Sequence, residues 1–308
     1  MNKELRKDLI IVISLLVVFS IVYLIPFFSM FIYIIWPIPV VYLIMKHGIN
    51  QVFTVIIIAA LLNTLIVGMA TNRVFGIYIG MYSIVGFGLI GFFLGSSFKE
   101  KFSPLKTIFL TITAVLISNI IIFFIQSYIP QLGYQQLLQD FYNVIERSQM
   151  PTEVSLLMEY YINIFKLLFP AYLLIISIIQ GLLTYYITIW YFKNKGIHVQ
   201  EYKPVKDWSF PRWSLSIAVL LFMVIITFLK YEGSTKIPEI YNMLSLNILI
   251  VLGFLLFLQG FAVIIYYLSR FKSIALYIIF AFCILFFYYI IVLIGLIDLW
   301  FNLRKDNT

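Results

Sequence analysis

The sequence predicts an all-α protein: a polytopic bundle of about eight or nine membrane-spanning helices, with one short amphipathic helix in the interface. Three observations predict it. The chain of 308 residues is 63% hydrophobic and only 11% charged, with a mean hydropathy of +1.04. A soluble domain carries about 25% charged residues, and a chain of this size cannot bury so much apolar surface in water. The apolar residues fall in long uncharged runs, each enough for the ~20 residues that cross ~30 Å of hydrocarbon. Finally, residues 76–95 hold six of the 15 glycines and no charge. In that stretch Gly76, Gly80, Ser83, Gly88, Gly91 and Gly95 share an arc of about 140° on a helix. A smooth strip lets helix backbones approach closely in lipid, so this helix is read as the hub.

The elements follow in order. Residues 9–45 carry no charge and are too long for one span. Pro26 divides them into helices near 9–26 and 30–45. Pro37 and Pro39 bend the second, because each removes a backbone donor. In lipid such a break needs protein or a water-filled cavity to satisfy the freed carbonyls. Lys46, His47 and Gly48 make a short loop, in which His47 is read as an interfacial residue. A third helix near 51–70 carries Asn63 at depth, and the glycine helix follows. A fifth, near 107–129, carries Asn119 and Gln126. Residues 134–147 alternate apolar and polar positions at helical spacing and form the amphipathic helix. A sixth span near 161–192 contains Asn163, Lys166 and Pro170. Spans near 213–229 and 241–268 follow the basic loop 193–212, the latter holding Asn247 and Gln259. The run 273–303 reads as one tilted helix, with a helical hairpin as the alternative. The chain thus divides into a six-helix region 1–192, a basic loop 193–212 and further helices 213–308.

With the N-terminus in the cytoplasm, 14 of the 21 Lys and Arg residues fall on the inner side. That is the expected bias for a multi-pass cell-membrane protein. The net charge of +8 therefore reflects orientation and anionic lipid, with no nucleic-acid partner implied.

Catalytic constellations are lacking in the sequence. No span has a carboxylate near its middle, the two histidines lie in loops, and Cys283 is the single cysteine. No metal-ligand spacing and no G-x-x-x-x-G-K-[ST] phosphate loop occurs. Neither an enzyme, a self-powered pump nor a cofactor is expected. Neutral polar groups at depth remain, each costly in lipid unless partnered. Asn63, Asn119, Gln126, Asn163, Lys166 and Asn247 are the candidate ligand-binding residues, several of them around an outward-open pocket. Gly76, Gly80, Gly88, Gly91 and Gly95 are the packing residues.

The passages WPIPVVYLIMKHG and FLQGFAVIIYYLSR…GLIDLWFNLRK resemble the YybS-like family of predicted bacterial membrane proteins. The proline-rich second helix, the short K-x-G loop and the glycine-bearing fourth helix are more distantly similar to S components of energy-coupling-factor vitamin transporters. That resemblance implies a small-molecule binding subunit that works with separate transmembrane and ATPase partners. Helix one lacks the A-x-x-x-A contact of those subunits, and residues 213–308 have no counterpart in them. A membrane scaffold or regulator that docks a cytoplasmic or membrane partner is the other expectation.

Overall fold

A computed structural model describes residues 3–129, 152–211, 239–271 and 273–304, with isolated positions between these stretches. The expected amphipathic helix near 134–147 and the span near 213–229 lie outside them. Among the described residues the protein is all helix. In order come α1 (Lys3–Tyr23), α2 (Pro26–Ile35), α3 (Ile38–His47), α4 (Asn50–Ala70) and α5 (Arg73–Tyr82). A π-helical turn (Ser83–Gly88) leads into α6 (Leu89–Lys99), then α7 (Pro104–Tyr128) and the long α8 (Thr152–Asn194). A 3₁₀ turn (Val205–Asp207) precedes α9 (Glu239–Phe271), α10 (Ile274–Phe286) and α11 (Tyr288–Phe301). Six described stretches are long and apolar enough to cross a membrane: Phe27–His47, Asn50–Ala70, Arg73–Lys99, Pro104–Tyr128, Tyr160–Asn194 and Met243–Phe271. The chain forms two compact units, Met1–Met158 with Ile176–Tyr202, and Glu159–Ile175 with Lys203–Thr308.

In the first unit the glycine helix is the hub. A Cβ on Gly76 would meet the Gly68 Cα and the Thr64 carbonyl of α4, each at 2.5 Å. One on Gly80 would strike the Thr64 hydroxyl, and one on Gly88 would lie 2.9 Å from Ile56. Beyond the π turn the partner changes to α3. Gly91 would meet Val40 at 2.6 Å, and Gly95 would meet Ile44 at 2.7 Å. Small residues thus let three backbones close on one another where lipid supplies no hydrophobic drive between helices.

The polar residues at depth repair broken helices. Pro37 cannot donate to the Tyr33 carbonyl, and Gln180 Nε2 reaches it at 3.4 Å. The adjoining Ile34 carbonyl accepts from Thr184 Oγ1 at 3.1 Å. The π turn is served from α7, where Ser118 Oγ donates to the Val85 carbonyl at 2.7 Å. In the second unit Pro170 interrupts α8, and the Asn247 amide inserts into the gap. It accepts from Ala171 N at 2.7 Å and donates to the Leu167 carbonyl at 2.8 Å. These bonds fill backbone sites that hydrocarbon would leave empty.

The final apolar run is a hairpin, which corrects the expectation of one tilted helix. Phe257 of α9 stacks on Tyr288 at 5.2 Å, and Tyr267 Oη donates to the Leu303 carbonyl at 2.6 Å. Between these contacts, a Cβ on Gly260 would lie 2.9 Å from the Gly295 amide nitrogen. The contacts climb both helices in the same direction, so α9 and α11 are parallel. Between them α10 runs back, with Phe280 5.7 Å from Phe261. At 1.5 Å per residue each arm is about 20 Å long, short of a ~30 Å hydrocarbon core. No proline or glycine marks the reversal; Phe287 makes it with φ −112° and ψ 27°. The bare backbones at Gly260 and Gly295 allow α11 to lie against α9.

The second unit also holds a buried ion pair. Arg304 Nη2 lies 2.8 Å from Asp298 Oδ2, and the two side chains are 8% and 1% exposed. Gln259 Nε2 donates to the same carboxylate at 2.5 Å, while its Oε1 accepts from Phe210 N at 3.0 Å. Arg304 Nη1 donates to the carbonyls of Lys206, at 3.1 Å, and Trp208. A continuous hydrogen-bonded chain therefore joins the basic loop, α9 and the end of the hairpin.

Candidate functional site

The six candidate ligand-binding residues are divided equally between the two units. Three lie in the first unit. Asn63 is buried and donates to Ser83 Oγ at 2.8 Å. Asn119 accepts from the Tyr33 hydroxyl and donates to Ser177 Oγ at 3.0 Å. Gln126 Nε2 donates to the Tyr78 hydroxyl at 2.7 Å. The other three lie in the second unit. Asn247 is committed to the Pro170 break, while Asn163 and Lys166 are exposed along α8.

Around the first three residues the interior is aromatic. Trp36 stacks on Phe87 with ring centroids 4.1 Å apart, and Tyr23 stacks on Tyr82 at 5.1 Å. Tyr33 and Trp36 each approach Tyr82 at 5.7 Å. These rings fill the space between the proline break and the π turn, so this region is a packed core. Four of its buried polar atoms carry no partner among the described residues: Trp36 Nε1, Tyr82 Oη, Gln180 Oε1 and Asn63 Oδ1. At roughly 1–3 kcal/mol for each such atom, the core retains strong unused hydrogen-bonding capacity.

Open space lies on the flank of this core. A partly open groove of about 500 Å³ runs between α1, the α2–α3 break and the end of α8. Leu15, Phe19, Ile35, Ile38 and Ile187 make its apolar walls. Asp8, Tyr42, Tyr191 and Lys195 stand at one end, where α1 begins and α3 and α8 finish.

That end is set by a clasp. Asp8 Oδ2 is 2.7 Å from both Lys46 Nζ and His47 Nε2, and Lys46 also reaches Glu4 Oε1 at 2.9 Å. His47 is thus the last residue of α3 and a bonded partner of α1, not a loop residue. The sequence carries a signal for Asp8. Asp8, Val12, Leu16 and Ser20 recur every four residues and form the buried stripe of α1. A carboxylate on that stripe requires a cation on the facing helix.

Hydrogen bonds from Lys46 and then His47 hold the Asp8 carboxyl below the ordinary carboxylate range, and the bond to Lys46 lowers Glu4 likewise. A depressed carboxylate stabilises the fold above its unfolded value and loses that contribution as pH falls through the folded one. The clasp should hold fully above about pH 4 and release below it. Thermal unfolding of wild type and Asp8→Asn against pH checks this. The substitution should flatten the acid limb below about pH 4 and leave the shape above it unchanged.

Over residues 11–299 the chain matches the model of the family described as predicted membrane protein (DUF2232). It is also 30% identical over 115 residues to a Bacillus subtilis (strain 168) protein described as "Uncharacterized protein YybS". That alignment covers 37% of this chain and 35% of the relative. No solved structure matches the chain significantly. The likeness to S components rests on the sequence motifs alone.

Proposed function

The chain belongs to the DUF2232 family of predicted membrane proteins, and from that premise we propose that it is a membrane-embedded binding subunit for a small amphipathic molecule. The observation that carries this reading is the groove of about 500 Å³, with apolar walls and a charged end. Ligand sites of this kind are concave, mostly apolar and furnished with few polar groups. The groove replaces the outward pocket around Asn163, Lys166 and Asn247 as the proposed site. The chain has no phosphate loop, so a separate ATPase would supply energy for any uptake, as in the S components that the first six helices resemble. In this reading the N-terminus, and with it the charged end of the groove, lies at the cytoplasmic leaflet, which the excess of basic residues in alternate loops supports.

The test is to purify the intact protein in mild detergent and identify bound small molecules by mass spectrometry. One guest at near-stoichiometric occupancy is expected. Leu15→Trp, which fills the groove wall, should reduce recovery of that guest at least tenfold without lowering the yield of folded protein. Intact wild type without a guest, or a guest fully retained by the Leu15→Trp protein, would refute the reading.

A second reading is a scaffold that docks a cytoplasmic or membrane partner. Exposed Lys193 and Lys195 at the end of α8 favour it. Tyr185 Oη steadies the following segment by accepting from Tyr202 N at 3.2 Å.

A further inference from the structure

We propose that the guest of this groove is a single-chain amphipath with an anionic headgroup, a phosphate or a carboxylate, held at Lys195. This rests on the binding reading above and names the ligand class for the same site.

Charge accounting at the polar end selects the headgroup. Two charged side chains line the groove, Asp8 and Lys195. Asp8 Oδ2 already accepts from Lys46 and His47 at 2.7 Å, so this carboxylate is matched within the protein. Lys46 in turn is shared between Asp8 and Glu4. Lys193, the neighbouring cation, faces Glu201 at 3.4 Å. Among the described residues Lys195 has no ion-pair partner. It is exposed, and of the two charges that line the groove it is the one a headgroup can meet without disturbing an ion pair within the protein; the headgroup that suits it is an anion. Tyr42 and Tyr191, with ring centroids 6.5 Å apart, stand at the same end. Amphipathic rings suit the level where a chain meets its headgroup.

Dimensions select the tail. From Asp8 to Phe19 the groove follows eleven residues of α1, about 16 Å of helix. At roughly 30 Å³ for each water-sized group, 500 Å³ holds about 17 such groups. That accommodates one alkyl chain and a compact headgroup, and is too small to enclose both chains of a two-chain lipid.

The experiment uses the full chain in nonionic detergent and measures binding of dodecyl phosphate, dodecanoate and dodecylphosphocholine, three probes with one tail. A two-chain phosphatidylglycerol serves as competitor. Both anionic probes should bind at least tenfold more tightly than the zwitterion, and the two-chain lipid should not displace them. Their ranking separates a phosphate from a carboxylate source. Lys195→Gln should abolish the tenfold preference, with the loss falling mainly on the two anionic probes. Equal binding of all three probes, a preference that survives Lys195→Gln, or displacement by the two-chain lipid would overturn the proposal. If Leu15→Trp abolishes binding of all three but wild type shows no headgroup preference, the ligand class fails and the groove reading stands. If none of the three binds wild type, both fail.

Discussion

Gly76→Leu should unfasten α4 from α5 and lower stability by at least about 3 kcal/mol. Overpacking usually costs about 1–3 kcal/mol, because side chains can shift to make room. Here the obstacles are backbone: the Gly68 Cα and the Thr64 carbonyl, each 2.5 Å from where the new Cβ would stand. Neither can swing aside, so one helix must move. Since the same helix also carries Gly80, Gly88, Gly91 and Gly95 against α4 and α3, the displacement propagates along the hub. The check is thermal or denaturant unfolding in detergent, with Gly253→Ala as the comparison. The nearest atom to that Cβ is Tyr288 Oη, at an ordinary 3.5 Å. Removing a helical glycine there should be neutral or stabilising by up to about 1 kcal/mol. An unchanged midpoint for Gly76→Leu would remove the hub from the architecture.

The second large effect is expected at the buried pair in the other unit. Asp298→Ala leaves the Arg304 guanidinium, 8% exposed, without its carboxylate. Removing one member of such a pair costs about 3–5 kcal/mol, chiefly because the survivor is buried and uncompensated. Gln259 loses its acceptor as well. Arg304→Ala should cost a similar amount, since it also abandons the Lys206 and Trp208 carbonyls. The double variant should be less damaged than the sum of the two, by about 1–3 kcal/mol, because no orphaned charge remains. The four proteins of this cycle, compared by unfolding at one detergent concentration, provide the measurement. Strict additivity would mean that the two side chains act independently.

What could be read from the sequence, and what could not, follows from the range of the interactions involved. The all-α bundle was legible, because composition and helical spacing are local properties. So was the break at Pro37 and Pro39, together with the requirement that protein satisfy its carbonyls. The identity of the repairing groups was not. Gln180 and Thr184 lie 147 and 150 residues from the atoms they serve. Asn247 was legible as a polar residue at depth, but only the fold pairs it with a proline 77 positions earlier. The reversal at Phe287 carries no turn residue, and its cause, the close approach of Gly260 and Gly295, lies on either side of it. At the candidate site the sequence supplied polar residues, whereas the groove is defined by the gap between three helices and by the clasp at Asp8. Spacing alone could have singled out Asp8; it could not have shown that Lys46 and His47 are its partners.

The π turn at Ser83–Gly88 sets a constraint of a different kind. A π turn accommodates one residue more than an α-helix would. Deleting a residue there would restore a regular rod, yet would also rotate everything beyond it by about 100°. Gly91 and Gly95 would then point away from Val40 and Ile44, and side chains with a Cβ would take their place against α3. The surplus residue is a phase shift: it lets the first half of one rod answer to α4 and the second half to α3, and the shortest sequence change that tidies the helix is the one that would part it from a neighbour.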